Sequence, residues 1–152
     1  MPLWALTLAG DRDATGRIAR DLASPDDRTR LIAAFALGWS HANDPATRRA
    51  LAAAADRARP GTDSYPFLLS TAVALKADPA RVAGWREAFV RGVSRFSAEG
   101  LYDSCHVLLP TLTRADLAWL TPLLDSTESD ARVAAAWSIL AILSHDHEKS
   151  PA

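Results

Sequence analysis

The residues best suited to chemistry lie together at Tyr102-Asp103-Ser104-Cys105-His106. A thiol, an imidazole, a carboxylate and a phenol in one run could serve nucleophilic or acid–base catalysis. Their spacing argues against it. On a helix Tyr102 and His106 share a face at i and i+4, whereas the neighbours Cys105 and His106 point about 100° apart. No Cys–His dyad follows from adjacency in sequence. The segment reads instead as a helix with a buried thiol and a hydrogen-bonded imidazole.

Other chemical signatures are sparse. The chain has no Gly-rich phosphate loop, no nucleophile elbow, and no His-x-x-x-His or Cys-x-x-Cys pair. His145-Asp146-His147-Glu148 has ligand-type residues, but at a chain end where the fixed geometry of a metal site is lacking. His41 follows a helix end, where a cation complements the dipole. The single Cys105 excludes an intramolecular disulfide and a zinc site with two or more thiolates. Arg48, Arg49, Arg57 and Arg59 flank one helix, and Arg81, Arg86, Arg91 and Arg95 flank another. With 17 basic against 18 acidic residues and a net charge of -1, these read as solvated, partly paired faces. That balance disfavours nucleic acid as a partner. No catalytic residue, metal or cofactor is assigned.

These residues must be held by helices. Ala and Leu number 31 and 20 of 152 residues, and both head the helix-propensity ranking. No stretch alternates apolar and polar residues long enough for a strand. The expected class is all-α. Start signals occur at Ser24-Pro25-Asp26-Asp27, Asp44-Pro45, Asp78-Pro79 and Thr113-Arg114-Ala115-Asp116. Stops occur at Arg59-Pro60-Gly61 and Glu99-Gly100. The resulting helices cover residues 2–8, 14–22, 25–39, 45–58, 64–76, 79–98, 101–112, 114–124 and 128–145. Residues 1–145 form one domain, and 146–152 are expected to be a disordered tail. No apolar stretch reaches the roughly 18 residues of a membrane span. Met1–Gly10 has no basic residue before its apolar run, so it makes a poor signal peptide. A cytoplasmic, bacterial protein from a GC-rich genome is expected.

The chain repeats itself. At a shift of 102 residues Leu22 falls on Leu124, Ser24 on Ser126, Arg30 on Arg132 and Phe35 on Trp137. At a shift of 31, Trp4-Ala5-Leu6 falls on Phe35-Ala36-Leu37. At 38, Ala34-Phe35-Ala36-Leu37 falls on Ala72-Val73-Ala74-Leu75. The matched pattern is a short helix with paired leucines, a tight turn, and a helix that opens with Arg and carries small residues; the unit with Tyr65-Pro66 lacks the Arg, and the one around Leu101–Leu112 hardly matches. Leu120-Thr121-Pro122-Leu123-Leu124-Asp125-Ser126 followed by Ala131-Arg132-Val133-Ala134-Ala135-Ala136 is the clearest instance.

This pattern resembles the HEAT repeat of the armadillo-type α-solenoids, particularly the compact bacterial HEAT-like form. The resemblance implies a right-handed α-α superhelix of about four helix pairs, with second helices lining a concave surface. It implies a non-enzymatic scaffold that binds a protein partner. The alternative is an enzymatic HEAT-like family of the nucleic-acid repair or bilin-lyase type, to be recognised by an Arg-lined groove with a buried acid. HEAT-type hydroxylases hold metal with several His-Glu dipeptides inside repeats, and this chain has one, outside them. The expected partner-binding patch is Tyr65, Tyr102, His106 and Arg132 on the concave face. Phe35, Trp39, Trp85, Phe89, Trp119 and Trp137 are expected in the core. The N-terminal edge, Leu3, Trp4 and Leu6, is expected either to tuck against Ile18 and Leu22 or to self-associate.

Overall fold

The computed structural model describes the backbone of residues 2–149 and the side chains of residues 2–145. Among these there is no strand. Nine α-helices occur among the described residues: α1 Leu3–Leu8, α2 Arg12–Asp21, α3 Asp27–Trp39, α4 Pro45–Arg57, α5 Ser64–Ala74, α6 Val82–Gly92, α7 Ala98–Leu108, α8 Leu117–Leu120 and α9 Ser129–Lys149. Short 3-10 turns flank α8 and follow α6 and α7.

Alternate helices lie side by side, α1 on α3, α3 on α5, α5 on α7 and α7 on α9. The even helices back this row: α2 packs on α3 and α4, α4 and α6 on α5, and α8 on α9. At the centre α5 is buried from Ser64 to Val73. Its sequence carries no charge between Asp63 and Lys76, as a helix enclosed on all sides requires.

Of the expected start signals, Asp44 caps α4, while Asp78-Pro79 forms a turn in which Asp78 accepts from the Ala80 N–H, and α6 begins only at Val82. Asp11 and Ser97, not among the expected signals, cap α2 and α7, each accepting a hydrogen bond from a first-turn backbone N–H. The cap of α3 is Asp26, two residues past the expected Ser24, whose hydroxyl instead accepts from the Asp26 N–H. Thr113 and Asp116 form the expected capping box. The expected helix over 79–98 is two elements. α6 ends at Gly92, and α7 begins at Ala98 under Ser97. Glu99 and Gly100 therefore open α7 rather than stop its predecessor. The expected disordered tail is also corrected in part, since the backbone is helical through Lys149. Residues 150–152 lie outside the described ones.

The internal repeat recurs as hydrogen-bonded devices. α1, α3 and α5 all end in a Schellman motif. The N–H of Asp11, Ala42 and Ala77 reaches back to the carbonyl of Leu6, Leu37 and Ala72, respectively. Gly10, His41 and Lys76 occupy the left-handed position, with φ of 83°, 51° and 48°. His41 is thus fixed by the turn itself. The step from Gly10 to His41 is the expected 31 residues. The next step, to Lys76, is 35 rather than 38, so Leu37 is equivalent to Ala72.

The shift of 102 is equally physical. Arg30 Nη1 donates to the carbonyls of Ser24 (2.7 Å) and Pro25 (2.8 Å). Arg132 Nη1 donates to those of Ser126 (2.7 Å) and Thr127 (3.0 Å). The Ser24 and Ser126 hydroxyls accept from the N–H of Asp26 and Glu128. Every partner in one set is 102 residues from its counterpart. α3 and α9 therefore start in the same way and can be compared residue by residue.

Candidate functional site

In that register Val133, Trp137 and Leu140 on α9 correspond to Leu31, Phe35 and Gly38 on α3. On α3 this face is covered by α5 and α7. Phe35 meets the Phe67 ring edge-on at 6.4 Å. Thr71 Oγ1 donates to the Ala34 carbonyl at 3.1 Å. A Cβ added at Gly38 would lie 2.7 Å from Thr71 Oγ1 and 3.1 Å from Val107. On α9 the same face is open: Val133 is 42% exposed, Trp137 62%, Leu140 63%, and the neighbouring Leu143 49%. The expectation that Trp137 fills the core is therefore corrected. Its register is that of Phe35, but no helix among the described residues lies where α5 lies on α3.

The four residues expected to form a concave patch do not gather. Tyr65 belongs to the enclosed helix α5, is 8% exposed and packs against Phe96 with ring centres 6.1 Å apart. Its free edge lines a groove of about 480 Å³ between α5 and the end of α6, shared with Arg91 and Arg95. Arg132 holds the loop before α9 through its two carbonyl bonds. Tyr102 and His106 do stay together, as i, i+4 spacing requires. They line a shallow dent with Cys105, Trp137 and Ser138. His106 also stacks on Trp39, with centres 4.2 Å apart and planes 5° apart. That stack and the Gly38–Val107 approach bring α3 and α7 together across α5, so the inner side is filled at this level.

The surface assembled by α7 and α9 is thus Tyr102, Val133, Trp137 and Leu140, with Leu143 beyond. Tyr102 is half-exposed at 39%. Sequence reasoning reached Tyr102 but missed the α9 stripe, because it treated Trp137 as equivalent to Phe35 in burial as well as in position. The available signal was the uncharged run from Val133 to Ser144 on the last helix of the row.

Nucleophilic chemistry finds no support here. Burial pushes the Cys105 thiol up to about 12, with only partial relief from the Ser138 hydroxyl. Asp103 is raised by burial and by the nearby charges of Glu99 and Asp130, against the pull of His106. It faces acids rather than a nucleophile it could activate.

A second polar cluster escaped the sequence. Asp116 is buried, and both its oxygens accept from Arg86 Nη1, at 2.8 and 2.9 Å. Trp119 Nε1 and the Thr113 backbone N–H add donors at 3.0 and 2.8 Å. Arg86 Nη2 donates in turn to the Thr111 carbonyl and hydroxyl. Burial raises the Asp116 carboxyl, but the Trp119 and Thr113 bonds and the Arg86 charge outweigh it and hold it below the usual carboxylate range. Arg86 is therefore half-buried and paired, one of the paired members of a face otherwise read as solvated. This buried acid does not sit in an Arg-lined groove. Arg81 pairs with Asp56 and Asp78, and Arg91 with Glu87, so the surrounding surface is mixed in charge.

No three His, Cys, Asp or Glu side chains among the described residues are arranged to hold a metal ion. The side chains of Asp146, His147 and Glu148 lie outside the described set. No helix among the described residues is long and apolar enough to cross a membrane. No family model, curated protein or solved structure matches the chain.

Proposed function

We propose that the chain is a non-enzymatic protein-interaction module, built as a HEAT-like solenoid, whose contact surface is the α7–α9 face. The observation that carries this reading is the contrast between equivalent residues. Phe35 is packed under α5, while Trp137 stands 62% exposed at the same place on α9. A helix pair in a stacked array buries one apolar face on each neighbour, and no helix among the described residues covers this one. Tyr102 and Trp137 bring the residue types that dominate binding hot spots, flanked by Val133 and Leu140. The side-by-side row of odd helices, the recurring Schellman ends and the paired Arg30 and Arg132 devices support the solenoid reading.

The test is capture of partners from a lysate of the native host with two immobilised baits, the wild type and the double variant Trp137→Ser, Leu140→Ser. Both substitutions are at exposed positions, so melting temperature should hold within a few degrees. The reading expects specific proteins on the wild-type bait and their loss from the variant. Equal capture by both baits would end it.

A further inference from the structure

At the N-terminal edge Trp4 stands 44% exposed while Leu3 packs on the core, which corrects the expectation that Trp4 tucks against Ile18 and Leu22. Nothing at that edge selects an occupant. The loop between α4 and α5, from Arg59 to Asp63, is different. A groove of about 480 Å³ separates it from the end of α6. A smaller one of about 360 Å³ lies on its other side, toward the ends of α2 and α4. Thr62 lines both.

The larger groove has a rigid aromatic wall. The Phe96 ring meets that of Phe89 at 5.1 Å and that of Tyr65 at 6.1 Å. It can sit there only because residue 92 is glycine, since a Cβ would lie 2.6 Å from the ring. Tyr65 is more than nine-tenths buried. Its hydroxyl makes no hydrogen bond among the described residues, yet it is not one of the polar atoms sealed from water. It therefore opens into the groove that the residue lines. A fixed ring with one unpaired hydroxyl turned to a cavity is a polar group of the kind that orients a ligand.

The charge around the loop is lopsided. Arg91 and Arg95 line the larger groove, and Arg30, Arg57 and Arg59 the smaller, against the single acid Asp63. The whole chain carries -1, so the excess is local. Arg30 is held by Asp27. The side chains of Arg57, Arg59 and Arg95 make no ion pair or hydrogen bond among the described residues. Arg91 pairs with Glu87, but both partners are exposed, and such a pair yields readily to a better-placed anion. The first turn of α5 adds the positive end of a helix dipole.

We infer that the larger groove binds a small aromatic oxyanion. Its ring lies against Phe96, its oxyanion is bonded by Arg95 and Arg91, and the Tyr65 hydroxyl donates to it. Asp63 repels negative charge at the loop end, which leaves the anion at the α6 end. The cavity falls within the roughly 300–1,000 Å³ of small-molecule sites. The site shares no residue with the α7–α9 surface and does not depend on that reading.

Amide chemical-shift titration of the purified full chain tests this. The probes are phenyl phosphate and benzoate, with inorganic phosphate and neutral benzyl alcohol for comparison. At least one aromatic anion should shift the amides of Tyr65, Gly92 and Phe96 saturably, with a dissociation constant of about 1 mM, the order that roughly ten non-hydrogen atoms support. Tighter binding of phenyl phosphate assigns a phosphate head group, and tighter binding of benzoate a carboxylate; either supports the proposal. Inorganic phosphate and benzyl alcohol should each bind at least about tenfold more weakly. Arg95→Ala should weaken binding about tenfold, Arg95→Lys less, and Tyr65→Phe about threefold. Arg49→Ala, at an exposed arginine outside both grooves, should change nothing. Circular dichroism checks that each variant is folded, and Arg91→Ala replaces Arg95→Ala if that one is not.

The absence of a saturable shift with either aromatic anion at about 20 mM overturns the inference. So does binding of inorganic phosphate or benzyl alcohol as tight as that of the aromatic anions, because the ring or the charge then adds nothing. Shifts centred on Trp137 and Leu140, or binding unweakened in both Arg95→Ala and Tyr65→Phe, also overturn it, because the probe then sits elsewhere.

Discussion

α3 and α9 begin with the same serine and arginine bonds and end up in opposite environments. Both are preceded by a serine that caps the turn and both are tied to it by an arginine. Ala33 and Ala135 are equally buried, as are Ala36 and Ser138. One quarter-turn away the likeness stops. Phe35 meets Phe67 of α5 and Gly38 lies against Thr71 of α5 and Val107 of α7, while Val133, Trp137 and Leu140 face outward. Local sequence thus sets how each helix is started and which face meets the second layer. Whether the remaining face is core or surface depends on position in the row, which no local pattern encodes.

The sharpest way to break the comparison is to exchange equivalent residues. Gly38→Leu places on α3 the residue that α9 carries, where a Cβ alone would come within 2.7 Å of Thr71. We expect a loss of about 3 kcal/mol or more. The reverse change, Leu140→Gly, should cost only about 1 kcal/mol, from helix propensity. Urea titration of both variants checks the pair. Similar losses would mean that the 102-residue register does not describe packing.

Truncating the two rings is the next step. Phe35→Ala should cost about 2–3 kcal/mol because the ring lies between Trp39 and Phe67. Trp137→Ala should cost under about 0.5 kcal/mol, as an exposed substitution does. Calorimetric melting at low protein concentration separates these values, and a Trp137→Ala loss near that of Phe35→Ala would show the α9 face to be covered.

The arginine devices should differ less. Arg132→Ala removes two bonds to loop carbonyls. Arg30→Ala removes the same two and also frees Asp27, to which Arg30 Nη2 donates at 2.7 Å. We expect about 1 kcal/mol for Arg132 and roughly 0.5 kcal/mol more for Arg30. Equal losses in urea titration would mean that the Asp27 link contributes nothing.

The smallest effect is one of pH. Burial raises the Asp27 carboxyl, but the Ser64 hydroxyl and N–H and the Arg30 guanidinium more than offset it, and the group stays below its ordinary value of 3.8. A carboxylate lowered by folding stabilises the native state above its unfolded pKa and loses that contribution as pH falls through the folded one. The α3–α5 junction should therefore weaken below about pH 4. Its α9 counterpart, Ser129, cannot titrate. An Asp27→Asn variant should show a shallower acid limb in a stability–pH curve, and an unchanged limb would remove Asp27 from the account.

Much of the fold could be read from the residues. Asp44-Pro45 and Thr113–Asp116 announce helix starts through side-chain geometry that depends on near neighbours. The matched Ser24 and Ser126 segments reveal a device whose every partner lies within six residues. Errors arose where a distant element decides. Glu99-Gly100 resembles a stop, but Ser97 caps the helix they open, and Gly100 packs close to Pro66 of α5. Tyr65 has the character of a recognition residue, yet it belongs to a helix enclosed by α3, α4, α6 and α7. Arg132 ties its Nη1 to its own loop but remains exposed. Arg86 and Asp116 stand 30 residues apart, and nothing in either neighbourhood announces their pairing. At the candidate surface, Tyr102 and His106 were visible through i, i+4 spacing. Trp137 was identified as a key aromatic but assigned to the wrong side of the surface.

Thiol labelling tests the contrast between α3 and α9 most directly. Cysteine is introduced in turn as Phe35→Cys and Trp137→Cys, and the reaction with a maleimide is followed in dilute native protein. Cys105 serves as a silent internal reference, since it is buried and its thiol is pushed up to about 12. The account predicts that the thiol at position 137 reacts at close to the rate of the urea-unfolded chain. The thiol at position 35 should react at least about tenfold more slowly, at a rate limited by opening of the α3–α5 contact. Protection at position 137 equal to that at position 35 would contradict it, because the α9 face would then be core and not a surface awaiting a partner.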